Sequence, residues 1–171
     1  MTEPQQRPAT GMPPLVRAGL ILAVVTLVAD QAVKWLLQDM LLKQGTIVVI
    51  PGVFNLVMVW NPGISFGMLG GGGKLPPWVL SAIAVAICIA LFFWLRAARS
   101  RWTASAIGLV IGGAIGNVVD RARWGQVFDF ADFYIGRWHW PAFNVADAAI
   151  VIGVLMLLAE SLMTGAAKER R

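Results

Sequence analysis

The sequence predicts an all-α membrane protein: four transmembrane helices, with a small strand-rich extracytoplasmic segment between the first and the second. Three observations carry this prediction. The 171 residues are 58% hydrophobic and 13% charged, against about 25% charged in a soluble domain. The apolar residues gather into four runs close to the ~20 residues that a helix needs to cross a bilayer. Between the first two runs lies TIVVIPGVFNLVMVWNPGISFGML, rich in Val, Ile and Phe and broken by Pro and Gly, which is the composition of short strands and turns.

Residues 1–14 are polar and Pro-rich and read as a disordered cytoplasmic tail. The first span falls at about 17–38. Its stretch from Ala18 to Ala29 alone would suit the core of a cleaved signal peptide. The pattern continues, however: Asp30 and Lys34 stand one turn apart, acid first, and can pair while Ala32, Val33, Trp35 and Leu36 extend the apolar surface. The strand-rich segment covers 41–74. Within it, Gly70–Gly73 and Lys74 lack the spacing and the Ser/Thr of a phosphate loop and read as a hinge, which makes the segment a candidate lid. The second span, 76–95, holds the single cysteine, Cys88, which reads as a small buried apolar side chain. One cysteine forms no intramolecular disulfide and no cysteine zinc site. The third span, 103–120, has glycines at 108, 112, 113 and 116, a helical spacing that lets helices approach closely. The fourth span is 145–163, and residues 165–171 form a basic cytoplasmic tail. The whole of 15–164 is one membrane domain.

The net charge is +5. The cations sit at the ends of apolar runs rather than in a patch, so membrane topology explains them better than nucleic-acid binding. Arg7, Arg17, Arg96, Arg99, Arg101, Lys168, Arg170 and Arg171 fall on one side. That side is expected to be cytoplasmic and to hold both termini. The strand-rich segment and the 121–143 loop then face outward, with Trp138 and Trp140 suited to an interfacial belt.

The stretch from Gly112 to Asp147 carries the chemistry. It holds Asp120, Asp129, Asp132 and Asp147 among only nine acidic residues in the chain, and ionisable groups in or beside spans mark functional sites by default. Asp120, next to Arg121, reads most simply as half of a structural ion pair. Asp129 lies in QVFDFAD, an apolar stretch too short to span, and should dip back to the interface. Asp147 lies in the first turn of span four, where an acid also simply favours the helix dipole, and Asn144 can cap that helix. If Asp129 and Asp147 meet, they can form a pair in which one acid stays protonated while the other acts as base on a water. The helix terminus favours the ionised form at Asp147, leaving Asp129 as the neutral partner. Spacing does not decide whether they meet.

Other chemistries fit less well. The lone His139 and the absence of HExxH speak against zinc, and nothing in the sequence points to a cofactor. Ser65 on the outer side lacks a nucleophile elbow, although a Ser65–Lys34 pair is an alternative. A small proton-coupled transporter or channel component would place its acids near the middle of the bilayer, in repeated halves. Here they gather at one face. A structural scaffold is a third reading.

DQAVKWL (30–36), NPGISFG (61–67), GGAIGNVVDRARWGQVFDF (112–130) and FNVADAAI (143–150) together resemble the bacterial lipoprotein signal peptidases, signal peptidase II. The match covers nearly the whole chain, in the family's order. The resemblance implies an aspartic endopeptidase of the bacterial cytoplasmic membrane. It would remove signal peptides from prolipoproteins, cutting just before a diacylglyceryl-modified cysteine, and would be inhibited by cyclic peptides of the globomycin type. It implies Asp129 and Asp147 as the catalytic pair. Asp30, Lys34, Asn61, Gly63, Asn117, Arg121 and Asn144 fall on supporting positions, and Asp120 lies in the matching DR element. The expected partners are prolipoproteins and membrane lipid, with no metal, no nucleic acid and a monomeric chain.

Overall fold

The computed structural model describes residues 11–63 and 76–169, with side chains as far as 163. The expected tail at 1–10, Ser65 and the Gly70–Gly73 run lie outside the described residues. Among the described residues, four helices are long and apolar enough to cross a membrane: α1 (Pro14–Gln44), α2 (Pro77–Arg96), α3 (Arg101–Trp124) and α4 (Val145–Glu169). Four short strands accompany them: β1 (Ile47–Ile50), β2 (Phe54–Asn61), β3 (Val127–Ile135) and β4 (Trp138–His139).

The central helix is α3, which packs against each of the other three. Its small residues explain why. A Cβ at Gly108 would meet the Gly19 carbonyl of α1, one at Gly112 the Ala23 carbonyl, and one at Gly113 the Ala146 carbonyl of α4. Lipid tails are as apolar as the side chains, so helices associate in a bilayer by close backbone approach. By contrast α2 buries only Cys88 and Leu95 among its residues and turns Ile83, Ile87, Ile89 and Phe93 outward. Ser100 caps α3 by accepting from the Thr103 amide at 2.9 Å, and Gly125 ends it in the left-handed region at φ 69°.

At ~1.5 Å per residue α1 is about 46 Å long, beyond the ~30 Å hydrocarbon core. Its last turns join the sheet: Leu41, Phe128, Phe130 and Ala131 form a buried cluster with Val33 and Leu37 against it. The expected start of the strand-rich segment, 41–44, is therefore still helix.

The sheet is antiparallel throughout, in the order β1-β2-β3-β4. Of the four described strands, β1 and β2 lie between the first two helices. The 121–143 stretch, expected to be a loop with a short dip toward the interface, supplies β3 and β4. Residues Val127 to Asp132 are all buried, so β3 shows none of the alternation that reveals a half-exposed strand. Its register sets Val59 opposite Asp129 and Asn61 opposite Val127.

Candidate active site

Where the sheet meets one end of the helix bundle, a connected set of buried polar groups joins α1, α3, α4, β2 and β3. Asn144 is its hub. It precedes the first residue of α4 and caps it: its Oδ1 accepts from the Asp147 amide at 2.9 Å, and its own amide donates back to Asp147 Oδ2 at 3.2 Å. This reciprocal pairing is a capping box with Asn and Asp in place of Ser and Glu. The Asn144 side-chain nitrogen also donates to Asp129 Oδ1 at 2.6 Å. Backbone pairing aims it there, because Phe143 exchanges hydrogen bonds with Ala131 of β3 just before the chain enters α4. One residue thus touches both carboxylates.

Each aspartate has a second amide. Asn61 at the end of β2 donates to Asp129 Oδ2 at 3.0 Å, and Asn117 of α3 donates to Asp147 Oδ1 at 2.8 Å. The Gly63 amide holds Asn61 in turn, donating to its Oδ1 at 2.9 Å. Gly63 has φ 92°, and a Cβ there would meet Leu80, so both backbone and space call for glycine. Asp129 is 1% exposed. Burial pushes its carboxyl up from 3.8 to about 6, helped by the Asp147 charge and opposed by the Asn61 and Asn144 amides and Lys34.

Beneath the pair lies a charge cluster. Lys34, 4% exposed, bridges Asp30 Oδ2 at 2.9 Å and Asp120 Oδ2 at 2.8 Å and donates to Asn117 Oδ1 at 3.2 Å. Asp30 reaches across to the start of α4, accepting from the Ala146 amide at 2.9 Å. Asp120 Oδ2 accepts from the Phe128 amide at 3.2 Å, tying α3 to β3. The Asp30–Lys34 pair is the one expected from its spacing. The expected Asp120–Arg121 salt bridge does not form, because successive helix residues point about 100° apart. Arg121 instead donates to the Asn117 carbonyl at 3.4 Å. Its charge interacts with Asp147, Asp120 and Asp129, and its buried Nε has no partner among the described residues.

All ten residues singled out from the sequence therefore lie in or against one network. Gln31 was missed. It donates to Asp120 Oδ1 at 2.9 Å, Asp30 Oδ2 at 3.2 Å and the Gly116 carbonyl at 3.3 Å. The cost of an amide inside a span was the signal for it. Asp132 stands apart, bonded to Asn55 at 3.0 Å and His139 at 2.7 Å.

A family model described as Signal peptidase (SPase) II matches residues 22–163. The chain belongs to the signal peptidase II family. It is 44% identical to the lipoprotein signal peptidase of Methylobacterium radiotolerans over 160 residues, covering 90% of this chain and 91% of the relative. With the lipoprotein signal peptidase of Methylorubrum extorquens the identity is 46% over 149 residues, covering 85% and 86%. A bacterial membrane enzyme solved by the in meso method at 2.3 Å superposes with a TM-score of 0.73 at 27% identity, over 91% of this chain and 93% of that one. Family and spans fit a multi-pass protein of the bacterial inner membrane. The transporter alternative finds no support among these relatives.

Proposed function

We propose that this signal peptidase II is an aspartic endopeptidase using Asp129 and Asp147 as its catalytic pair. It releases the signal peptide of a prolipoprotein by cutting before a diacylglyceryl-modified cysteine. The observation that carries the proposal is the double contact of Asn144, with Asp129 at 2.6 Å and Asp147 at 3.2 Å.

Two carboxylates held to one residue do not both ionise readily. The wider network sharpens this, since among the described residues Asp30, Asp120, Asp129 and Asp147 face two cations, Lys34 and Arg121. A shared proton relieves the excess. Asp129, pushed up to about 6, is the neutral partner. Asp147 stands in the first turn of α4, where the helix dipole favours negative charge. As base it takes a proton from a water whose oxygen attacks the scissile carbonyl. Asp129 donates its proton to the carbonyl oxygen. Collapse of the tetrahedral intermediate breaks the C–N bond: the proton held by Asp147 passes to the leaving amine, and a hydroxyl proton of the intermediate returns to Asp129 as the new carboxyl group forms.

The acyl chains of the substrate explain the depth of the site. At about 0.8 kcal/mol per buried CH₂ they fix the scissile bond at the membrane surface, which lowers the entropic cost of meeting the pair. In this reading both termini are cytoplasmic, the aspartates face outward, and a globomycin-type cyclic peptide competes for the same cleft.

The test is cleavage of a diacylglyceryl-modified prolipoprotein by wild type, Asp129→Asn and Asp147→Asn in liposomes, beside an unlipidated substrate. Cleavage that needs the lipid and drops at least ~10³-fold in both variants supports the pair. Activity surviving in either variant rejects it and returns attention to Ser65 and Lys34.

A further inference from the structure

At the end of the bundle opposite the aspartates, the first turns of α1 and α3 frame a cavity of about 400 Å³. Its polar lining is Arg17, Arg101 and Ser105, and Leu15, Ala18 and Ile21 supply an apolar wall. Among the described residues, no acidic side chain lines it. Neither arginine forms an ion pair among the described residues. Glu160, at the same end of α4, accepts from Ser100 at 2.8 Å and Thr103 at 2.6 Å and is no part of the wall. A second cavity, about 280 Å³, shares Arg17 and Ile21 with the first and continues over Leu20, Val24 and Val25. A doubly cationic pocket thus opens onto an apolar trough that climbs α1 toward mid-bilayer.

We propose that this is a binding site for one anionic phospholipid of the leaflet opposite the aspartates. The phosphate sits between Arg17 and Arg101, whose planar guanidinium groups match its oxygens. Ser105 donates a hydrogen bond, and an acyl chain lies along Ile21, Val24 and Val25. Arginines at span ends serve topology in any membrane protein. Topology alone does not call for a cavity that holds two of them, a hydroxyl and an adjoining trough. The charge of the site selects an anionic head, and the trough selects a lipid over a free anion.

Native mass spectrometry of the full-length protein in detergent tests this, with phosphatidylglycerol, phosphatidylcholine and inorganic phosphate as probes. Wild type should retain phosphatidylglycerol in a saturable one-to-one adduct and shed phosphatidylcholine. Affinity should fall about fivefold in Arg17→Gln or Arg101→Gln and about thirtyfold in the double variant, each cation near the surface contributing a comparable increment. Val24→Trp, which keeps both arginines and fills the trough, should weaken phosphatidylglycerol at least threefold. Three results would overturn the proposal. They are equal retention of the two lipids, undiminished phosphatidylglycerol binding by the double variant, and displacement of the lipid by inorganic phosphate at matched concentration, the mark of a bare anion site. None of these readouts depends on cleavage activity.

Discussion

Asp129→Asn tests whether burial beside a second carboxylate sets the proton affinity at the proposed pair. In the folded chain the Asp129 carboxyl is pushed from 3.8 to about 6, so the folded state binds this proton more tightly than the unfolded one. As pH rises from about 4 to about 6 the unfolded chain releases its proton first. Stability therefore falls through that window and levels off above it. A displacement from 3.8 to about 6 corresponds to roughly 3 kcal/mol. Asparagine cannot ionise, so the variant escapes this loss. It sacrifices something else: Asn61 at 3.0 Å and Asn144 at 2.6 Å each donate to a separate carboxylate oxygen, and an amide offers only one acceptor. A buried donor left facing a donor costs about 1–3 kcal/mol. Near pH 4 the variant should thus be less stable than wild type by that amount, and near pH 8 the deficit should close. Thermal unfolding of both proteins in one detergent across this range is the assay, with cleavage followed alongside. Parallel stability curves would refute the reasoning, whatever happened to cleavage.

Three further outcomes are expected. Lys34→Met leaves Asp30 and Asp120 buried without their shared cation and should cost about 3–5 kcal/mol. Unfolding temperature reads this directly, and Lys34→Met with Asp120→Leu should recover part of the loss. Asn61→Ala removes the 3.0 Å bond to Asp129 and should cut turnover by about 10- to 100-fold at unchanged expression, so wild-type turnover would exclude Asn61 from the reaction. Gly113→Val drives a side chain into the Ala146 carbonyl and should displace the start of α4. Loss of both folding stability and cleavage is expected, while Gly11→Ala, with nothing among the described residues within 4 Å of its Cβ, should change neither.

The parts legible in the sequence were those governed by local rules. Span length and apolar composition reveal the four helices. Spacing alone pairs Asp30 with Lys34, and Asn144 three residues before Asp147 announces a cap. The parts that escaped depend on distant partners. β3 reads as an ambiguous apolar run because the chain buries both of its faces, and its neighbour β2 lies far upstream. Asp120 was assigned to its sequence neighbour Arg121, whereas its cation comes from α1. That Asp129 and Asp147 share a site could be suggested by a family resemblance but not by spacing, since a strand contributes one and a helix the other.

That division has a consequence for how the pair is held. Asp147 is fixed by the helices: Asn117 of α3 binds its side chain, Asp30 of α1 binds the amide one residue before it, and Gly113 lets α4 come that close. Asp129 is fixed by the sheet, through β2 and the Asn61–Gly63 turn. The two supports meet at Asn144, at the Phe128 amide bound to Asp120, and where Leu41 packs on Phe128 and Phe130. Any displacement of the sheet against the helices therefore appears first as a change in the separation of the two carboxylates. The charge cluster beneath them, with Lys34 spanning α1 and α3 and Asp120 gripping β3, joins these two bodies into one. Its burial is costly by itself, and what it supplies in return is a fixed registry between the helices that hold Asp147 and the strand that holds Asp129.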